Sequence, residues 1–254
     1  MKTGVRDLMR VLALSVLVVV PFVLRDYGLF IATELLVWAL FAVSLDLLLG
    51  YTGLPSFGHA VFFGLPAYAL GIMLVRQDSF ALALFAGYAA VLVAAAVIGY
   101  FALRTGGTGY IIVTLLASFA LFTLALTVTG VTGGEDGLSI PRVKSFSALS
   151  PREAYAIVAV VTLTMYLLAR MLVRSSVGHL LLAIKGNEQR VQALGYNVDS
   201  AKLLVTLVSA FIAGTAGMLY VLLTRTLSAE LVGPALSTEV VIWVLLGGVQ
   251  TLFG

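Results

Sequence analysis

Three polar residues in the first quarter of the chain could do hydrolytic chemistry. Asp46, Ser56 and His59 supply the carboxylate, hydroxyl and imidazole of a catalytic triad. However, Ser56 and His59 are only three residues apart, and neither a nucleophile elbow nor an oxyanion signature surrounds the serine. Asp46 and His59 could instead relay protons, or be an interfacial carboxylate and a hydrogen-bonded imidazole; the last interpretation is favoured. These residues do not predict an enzyme.

Sequence motifs for nucleotide, metal and thiol chemistry are missing. None of the lysines completes the Walker A pattern G-x-x-x-x-G-K-[ST], and no H-E-x-x-H occurs. The chain has no cysteine, which excludes disulfides and thiolate ligands. We therefore predict no catalytic residue, no metal site and no cofactor in this chain.

The composition places these residues in a membrane protein. Of the 254 residues, 61% are hydrophobic and only 11% are charged, whereas soluble domains carry about 25% charged residues. So few charges cannot cover a surface that faces water, so the bilayer must be the main solvent. The net charge of +3 does not predict nucleic-acid binding, because the basic residues are scattered at the ends of apolar runs.

The apolar runs predict an all-α integral membrane protein with about eight transmembrane helices in a single domain, residues 1–254. A span needs about 20 apolar residues. The candidate runs are residues 11–27, 29–49, 57–75, 79–103, 109–131, 154–173 and 203–223, and one that begins near Glu239. The first run resembles a secretory signal, but no small-residue cleavage site follows it, so we expect it to be retained.

The distribution of Lys and Arg predicts a cytoplasmic N-terminus, because cytoplasmic loops are enriched in these residues. With alternating spans, nine basic residues fall inside and six outside. The inner ones are Lys2, Arg6, Arg10, Arg104, Arg170, Arg174, Lys185, Arg190 and Lys202. The outer ones are Arg25, Arg76, Arg142, Lys144, Arg152 and Arg225. This orientation places residues 174–202 in the cytoplasm and residues 132–153 outside.

Residues 50–71, GYTGLPSFGHAVFFGLPAYALG, are rich in helix breakers for a membrane segment. Non-helical backbone survives at membrane depth only where it is buried in protein or lines a watery cavity. Transporters place such broken helices along their substrate paths. The pattern is equally consistent with a cytoplasmic loop over residues 50–56 followed by an ordinary glycine-rich helix.

Two further segments indicate contacts rather than chemistry. In residues 210–220, AFIAGTAGMLY, small residues recur four apart, which lets helix backbones approach closely. The outer loop, residues 132–153, opens with turn-forming glycines around two carboxylates. This loop is either a solvated linker or a docking surface for an extracytoplasmic partner. Its candidate docking residues are Gly133, Gly134, Glu135, Asp136 and Gly137.

Residues 178–199 interrupt the apolar sequence with a polar segment. Apolar residues recur at near-helical spacing and predict one amphipathic helix, with Gly195 as its C-terminal cap. The stripe is formed by Leu180, Leu181, Ile184, Val191 and Leu194. Such a helix either lies on the membrane surface or fits a groove on another protein. Because Glu188 offsets one of the two basic residues, attraction to lipid is weak and a protein partner is favoured.

Four stretches together resemble the permeases of branched-chain amino acid ABC transporters, most closely the LivM type. They are GYTGLPSFGHAVFFGLPAY, TGGEDGL, AIKGNEQRVQALGYNVDSAKLLVTLVSAFIAGTAGMLY and LLGGVQTLFG. The resemblance runs from about residue 33 to the end of the sequence. It implies a multi-pass inner-membrane subunit of an ATP-driven importer for branched-chain amino acids. The implied partners are membrane lipid, a homologous second permease, two cytoplasmic ATPases that use ATP and Mg²⁺, and a periplasmic substrate-binding protein.

The resemblance also assigns roles to residues of this sequence. Residues 187–195 match a cytoplasmic coupling segment that sits in a cleft of the ATPase. Within the loop 174–202, the expected coupling residues are Leu180, Ile184, Asn187, Glu188, Arg190, Leu194 and Gly195. The glycine-rich element matches the expected substrate pathway, with residues Gly50, Gly53, Ser56, Gly58 and His59. Residues 132–138 match the family's outer turn.

The sequence departs from the family's pattern at two places. Family members usually carry Asn where this chain has Asp46. They also continue beyond GGVQTLFG with further helix, so relative to them we expect this chain to be shortened at its C-terminus. The alternatives are a urea or short-amide importer permease, which shares these motifs, an ion-coupled secondary carrier, and a non-transporting membrane scaffold.

Overall fold

The computed structural model describes residues 19–76, 79–140 and 149–252, and it is almost entirely helical. Helices are the expected structure for this composition. The hydrocarbon of a bilayer contains no water to bond the backbone N–H and C=O groups, and a helix bonds them internally. The larger helices are α1 (Asp26–Thr52), α2 (His59–Arg76), α3 (Phe80–Arg104), α4 (Gly106–Thr127), α6 (Pro151–Arg174) and α9 (Val198–Thr224). The shorter ones are α5 (Thr129–Thr132), α7 (Ser176–Gly186), α8 (Glu188–Ala193) and α10 (Pro234–Gly247), with a 3-10 turn at Ala229–Val232.

Six helices of the described residues are long and apolar enough to cross a membrane: α1, α2, α3, α4, α6 and α9. They confirm an all-α membrane protein, but they do not confirm the predicted count of eight spans. Residues 19–23 are helical, and residues 11–18 of the first predicted span lie outside the described residues. The last predicted span begins at Pro234 rather than near Glu239. It ends at Gly247 after 14 residues, which is too short to cross a bilayer.

Helix α9 is the centre of the bundle and packs against α1, α2 and α3. Its most apolar stretch is 72% buried, and that of α2 is 67% buried, compared with 17% for α6. The small residues of 210–220 explain this position, because Gly217 lies against the backbone of Phe63 and Gly214 lies against Val91. The close approach predicted from these residues is therefore made with α2 and α3 of the same chain.

A short antiparallel pairing joins the two loops at one end of the bundle. Strand β1 (Leu138–Ser139) pairs with β2 (Thr226–Leu227), with Leu138 opposite Leu227. Because the long helices alternate in direction, the loop after α1 and the short helices α7 and α8 lie at the opposite end. A hydrogen bond between Lys185 and Gly50 joins these two segments. The predicted grouping of residues 50–56 with 174–202 on one side therefore agrees with the structure.

Candidate functional site

The glycine-rich element contains one short break in the helices. Helix α1 ends at Thr52, and the N–H of Gly53, which has a left-handed φ of 70°, donates to the carbonyl of Leu48. Residues 53–58 are non-helical, and α2 begins at His59 and continues through Pro66. Leu54, Ser56 and Gly58 are buried, the two residues between them are partly buried, and Gly53 is exposed. The site thus combines the two interpretations left open by the sequence: a six-residue break of which alternate residues are buried in protein, and an unbroken helix after it.

Within the predicted substrate pathway, Gly50 belongs to the last turn of α1, and Gly58 lies at the start of α2. A Cβ at Gly58 would collide with the backbone carbonyl of Thr114 in α4. The absence of a side chain therefore lets the break pack directly on α4. The hydroxyl of Ser56 is buried and has no hydrogen-bond partner among the described residues.

His59 is fully buried and is held by one side-chain hydrogen bond. Its Nε2 lies 2.8 Å from Oγ of Ser44, whose own hydroxyl donates to the carbonyl of Phe41 at 2.6 Å. Because the single hydroxyl proton of Ser44 is thereby used, Nε2 carries a proton and donates to Ser44. This tautomer leaves Nδ1 as an acceptor, and Nδ1 has no partner among the described residues. The ring stacks on Phe41 and meets Phe62 edge-on.

Asp46 and His59 have separate hydrogen-bond partners. The carboxylate of Asp46 accepts the backbone N–H groups of Gln250 and Leu252, at 2.9 and 2.8 Å. His59 bonds Ser44 instead, and Ser56 bonds neither of them within the described chain. The residues that could have formed a triad or a proton relay are therefore not joined by hydrogen bonds in this conformation.

The predicted single amphipathic helix is instead two helices, α7 and α8, that meet at Asn187. The extended backbone of Asn187 ends α7, and its side chain accepts the N–H of Arg190 to cap α8. The interruption changes the helical phase, so the predicted stripe is wrong at its end. Leu181, Ile184 and Val191 are buried, but Leu194 is 71% exposed. We call residues 176–196 the short-helix unit.

Gly195 ends the short-helix unit as predicted. Its φ is 87°, and its N–H donates to Gln192 while the N–H of Tyr196 donates to Val191. These two bonds form a Schellman motif, which favours glycine because a Cβ is strained in the left-handed region. The chain can therefore turn sharply out of α8 and enter α9 within a few residues.

Two lysines fasten the short-helix unit to the bundle. Nζ of Lys185 donates to the carbonyl of Gly50 at 2.7 Å, and Nζ of Lys202 lies 2.7 Å from the carboxylate of Glu188. These contacts enclose a polar cavity of about 270 Å³ that is also lined by Gly53 and Tyr110. Sequence reasoning missed both lysines, because Gly50 is 135 residues from Lys185 and no local pattern marks such a pair.

The other predicted coupling residues differ in how far they are exposed. Asn187 and Arg190 are exposed, Glu188 is half-buried, and Leu180 is partly buried beside Val177. A groove of about 380 Å³ runs over α7 and α8, and its apolar walls include Leu180, Leu194 and Tyr196. The last two side chains are 71% and 56% exposed. The short-helix unit therefore has a buried side that docks on the bundle and an open side that is partly apolar.

The outer turn, residues 133–140, is a tight glycine turn that presents two carboxylates. Gly133, Gly134 and Gly137 all have positive φ, and the N–H of Ile140 donates to the carbonyl of Arg225. Glu135 and Asp136 are exposed at its tip. Residues 141–148 of the predicted outer loop lie outside the described residues. No cluster of His, Asp or Glu in the described chain could hold a metal ion.

These features define an all-α, multi-pass membrane protein, with a broken helix pair inside the bundle, the short-helix unit attached at one end, and a structured turn at the other. Residues 27–254 match the family described as branched-chain amino acid transport system, permease component. The chain belongs to this family.

Curated relatives agree with the family. The chain is 27% identical over 281 aligned residues to the high-affinity branched-chain amino acid transport system permease protein LivM of Escherichia coli K12. It has the same identity to the LivM protein of Salmonella typhimurium LT2. Each alignment covers 98% of this chain and 65% of the relative, so the chain spans about two thirds of their length. No solved structure matches the chain.

Proposed function

We propose that this protein is the inner-membrane permease subunit of an ATP-driven importer for branched-chain amino acids. The relatives named above are permeases of high-affinity branched-chain amino acid transport, and the sequence contains no Walker A motif of its own. The energy must then come from separate ATPase subunits on the cytoplasmic side. The N-terminus is cytoplasmic in this proposal, as the distribution of Lys and Arg predicts.

The observation that carries the proposal is the two-sided short-helix unit. Its inner side is fixed to the end of α1 by Lys185 and to α9 by Lys202, while its outer side leaves Leu194 and Tyr196 exposed beside an apolar groove. An exposed aromatic and a leucine on a helical unit are typical of a surface that docks in a protein groove. A movement of the ATPase would be passed to α1 and α9 through the two lysines.

The solute passes by the break in this proposal. The hydroxyl of Ser56 and Nδ1 of His59 are buried without partners among the described residues, and a buried polar group without a partner is costly. In another conformation of an alternating-access cycle, these groups can bond water or the polar part of an amino acid. At the other end, Glu135 and Asp136 form a docking turn for the binding protein, and a second permease completes the membrane unit.

The test is uptake by the reconstituted complex. The chain is co-expressed with the ATP-binding-cassette ATPases, second permease and binding protein of its own genome and placed in liposomes. We expect ATP-dependent accumulation of labelled leucine, isoleucine or valine that a protonophore does not abolish. Accumulation of urea or acetamide in place of these amino acids would assign the alternative substrate class. Uptake that needs no ATPase but collapses with the proton gradient would disprove the importer and indicate an ion-coupled carrier.

Leu194 provides the specific test of the docking surface. The variant Leu194→Asp places a charge on the exposed apolar side without removing a buried contact. We expect it to insert normally but to lose co-purification with the ATPase. Gln192→Asp adds the same charge on an exposed neighbour outside the groove lining and should retain the ATPase. Equal retention by both variants would show that the open side of the short-helix unit does not bind it.

A further inference from the structure

Asp46 forms a buried anchor for the turn that follows α10. Its two carboxylate oxygens accept the N–H groups of Gln250 and Leu252 separately, and the side chain is 0% exposed. Gln250 and Leu252 both have positive φ, at 70° and 56°, so these N–H groups belong to an irregular turn. Without the carboxylate, two backbone donors would lose these bonds in an apolar region.

The end of α1 contacts the same turn at two more points. The hydroxyl of Tyr51 donates to the carbonyl of Gln250 at 3.0 Å. A Cβ at Gly50 would lie 3.0 Å from the backbone nitrogen of Gln250, so the missing side chain permits this approach. We call residues 248–252 the anchored turn. The last two turns of α1 hold it through side chains and direct backbone packing.

The positive charge that acts on Asp46 comes from the short-helix unit. Asp46 and Gly50 are four residues apart and so lie on one face of α1. Lys185 crosses Gly53, with its Cγ 3.2 Å from the position of a Cβ there, and donates to the carbonyl of Gly50. The carboxylate of Asp46 reaches along this face to Gly50, whose carbonyl accepts the ammonium, so the charge of Lys185 acts on Asp46.

We propose that Lys185 and Asp46 form a relay through which the short-helix unit controls the anchored turn. The inference rests on the proposed function, in which the ATPase moves this unit. A buried carboxylate needs nearby donors and cations to offset the loss of water. When the unit moves and withdraws Lys185, the carboxylate loses part of this compensation, and its hold on the anchored turn weakens. A movement at the surface is thus converted into a change at a turn more than 60 residues away in sequence.

Asp46 fits the two hydrogen bonds seen in this chain better than Asn would, for a chemical reason. A carboxylate offers two acceptor oxygens, of which one accepts the N–H of Gln250 and the other that of Leu252. An Asn amide offers one acceptor, and its NH₂ would point a donor at a second donor. Asp46→Asn should therefore release one of the two bonds while leaving the volume of the side chain unchanged.

The first experiment measures amide hydrogen exchange of the full chain in nanodiscs and needs no ATPase. We expect Asp46→Asn and Lys185→Gln each to speed exchange in the anchored turn by about tenfold or more, the order of a hydrogen bond to a charged group. Lys185→Arg should keep wild-type protection. Lys202→Gln is the matched control. It removes a lysine from the same cavity, and this lysine forms its ion pair with Glu188 rather than with Asp46. Equal effects of Lys185→Gln and Lys202→Gln would overturn the relay.

The second experiment compares uptake with ATP hydrolysis in the same proteoliposomes. We expect Lys185→Gln and Asp46→Asn to lower the amount of substrate imported per ATP, and the double variant to be no worse than the poorer single variant. A structural defect would instead lower both activities together, and additive losses would show independent contacts; either result overturns the relay. A wild-type complex without ATP-dependent uptake would refute the proposed function itself. The exchange experiment contains no ATPase and no transport step, so its result does not depend on that function.

Discussion

The ammonium of Lys202 lies 2.7 Å from the carboxylate of Glu188 and ties the short helix α8 to the first turn of α9. The side chain of Lys202 is 10% exposed and that of Glu188 is 42% exposed. The lysine is thus fixed by the bundle, whereas the glutamate lies on the short-helix unit. An ion pair so close to water contributes up to about 1 kcal/mol to stability, so its main consequence is for the position of α8.

Glu188→Arg should displace α8 without unfolding the protein. The substitution places a second cation against Lys202, and like charges at this distance repel. We expect membrane insertion and melting temperature near those of the wild type, with a loss of substrate uptake by the complex. The measurement is uptake per amount of purified permease. Gln189→Arg introduces the same charge on the exposed neighbour and should transport normally.

A charge exchange completes the test of this ion pair. The double variant Glu188→Lys with Lys202→Glu restores the attraction with the charges reversed, and it should recover uptake relative to either single variant. A double variant that transports no better than the single variants would show that charge pairing between residues 188 and 202 does not determine where α8 lies.

His59→Gln should separate folding from transport at the break. The terminal amide of Gln can replace Nε2 as donor to Ser44, but it does not reproduce the aromatic ring or the acceptor at Nδ1. We expect a stability loss of about 1 kcal/mol, the order of an aromatic contact, and a larger fractional loss of uptake. Thermal unfolding in detergent and uptake kinetics are measured on the same preparation.

The converse variant for this prediction is Ser44→Ala, which removes the acceptor for His59 while Nδ1 is retained. It should lower stability more than His59→Gln, because a buried donor on the imidazole then loses its partner. If His59→Gln transports like the wild type, Nδ1 has no part in the solute path.

Gly58→Ala should destabilise the packing of the break on α4. A Cβ at this position meets the backbone carbonyl of Thr114, which cannot rotate away as a flexible side chain can. Overpacking of this kind costs about 1–3 kcal/mol, so the melting temperature should fall by several degrees. Gly107→Ala is the control, because a Cβ there meets no atom within 4 Å. The two variants should therefore differ clearly in thermal unfolding; similar melting temperatures would contradict the close contact.

Gly195→Ala should loosen the end of the short-helix unit. At a φ of 87°, a Cβ costs about 1 kcal/mol, and the Schellman bonds to Gln192 and Val191 weaken. We expect faster proteolysis or amide exchange over α8, with the bundle unchanged. Gly186→Ala in α7 is the matched substitution, since it has open space and no positive φ. A rise in exchange for Gly186→Ala but not for Gly195→Ala would refute this account.

Local sequence patterns predicted much of the fold and part of the site. Apolar runs located the six long helices, and the turn chemistry of Gly195 and of residues 133–137 was correct, since these properties depend on near neighbours. The predictions failed where they assumed that one apolar pattern forms one uninterrupted helix. Asn187 divides the expected single helix, Leu194 leaves the buried stripe, and α10 starts at Pro234 and ends after 14 residues.

The sequence by itself determined that this protein belongs in a bilayer, where its six long helices lie, and which family it belongs to, because composition, periodicity and motifs are properties of the linear chain. Only the tertiary structure decided the partners of its rare polar groups. Asp46 meets Gln250 across 204 residues and Lys185 meets Gly50 across 135, distances over which no sequence pattern acts. The physical reason is that a buried charge is stabilised by the donors or cations that packing places beside it, and this packing depends on the whole bundle.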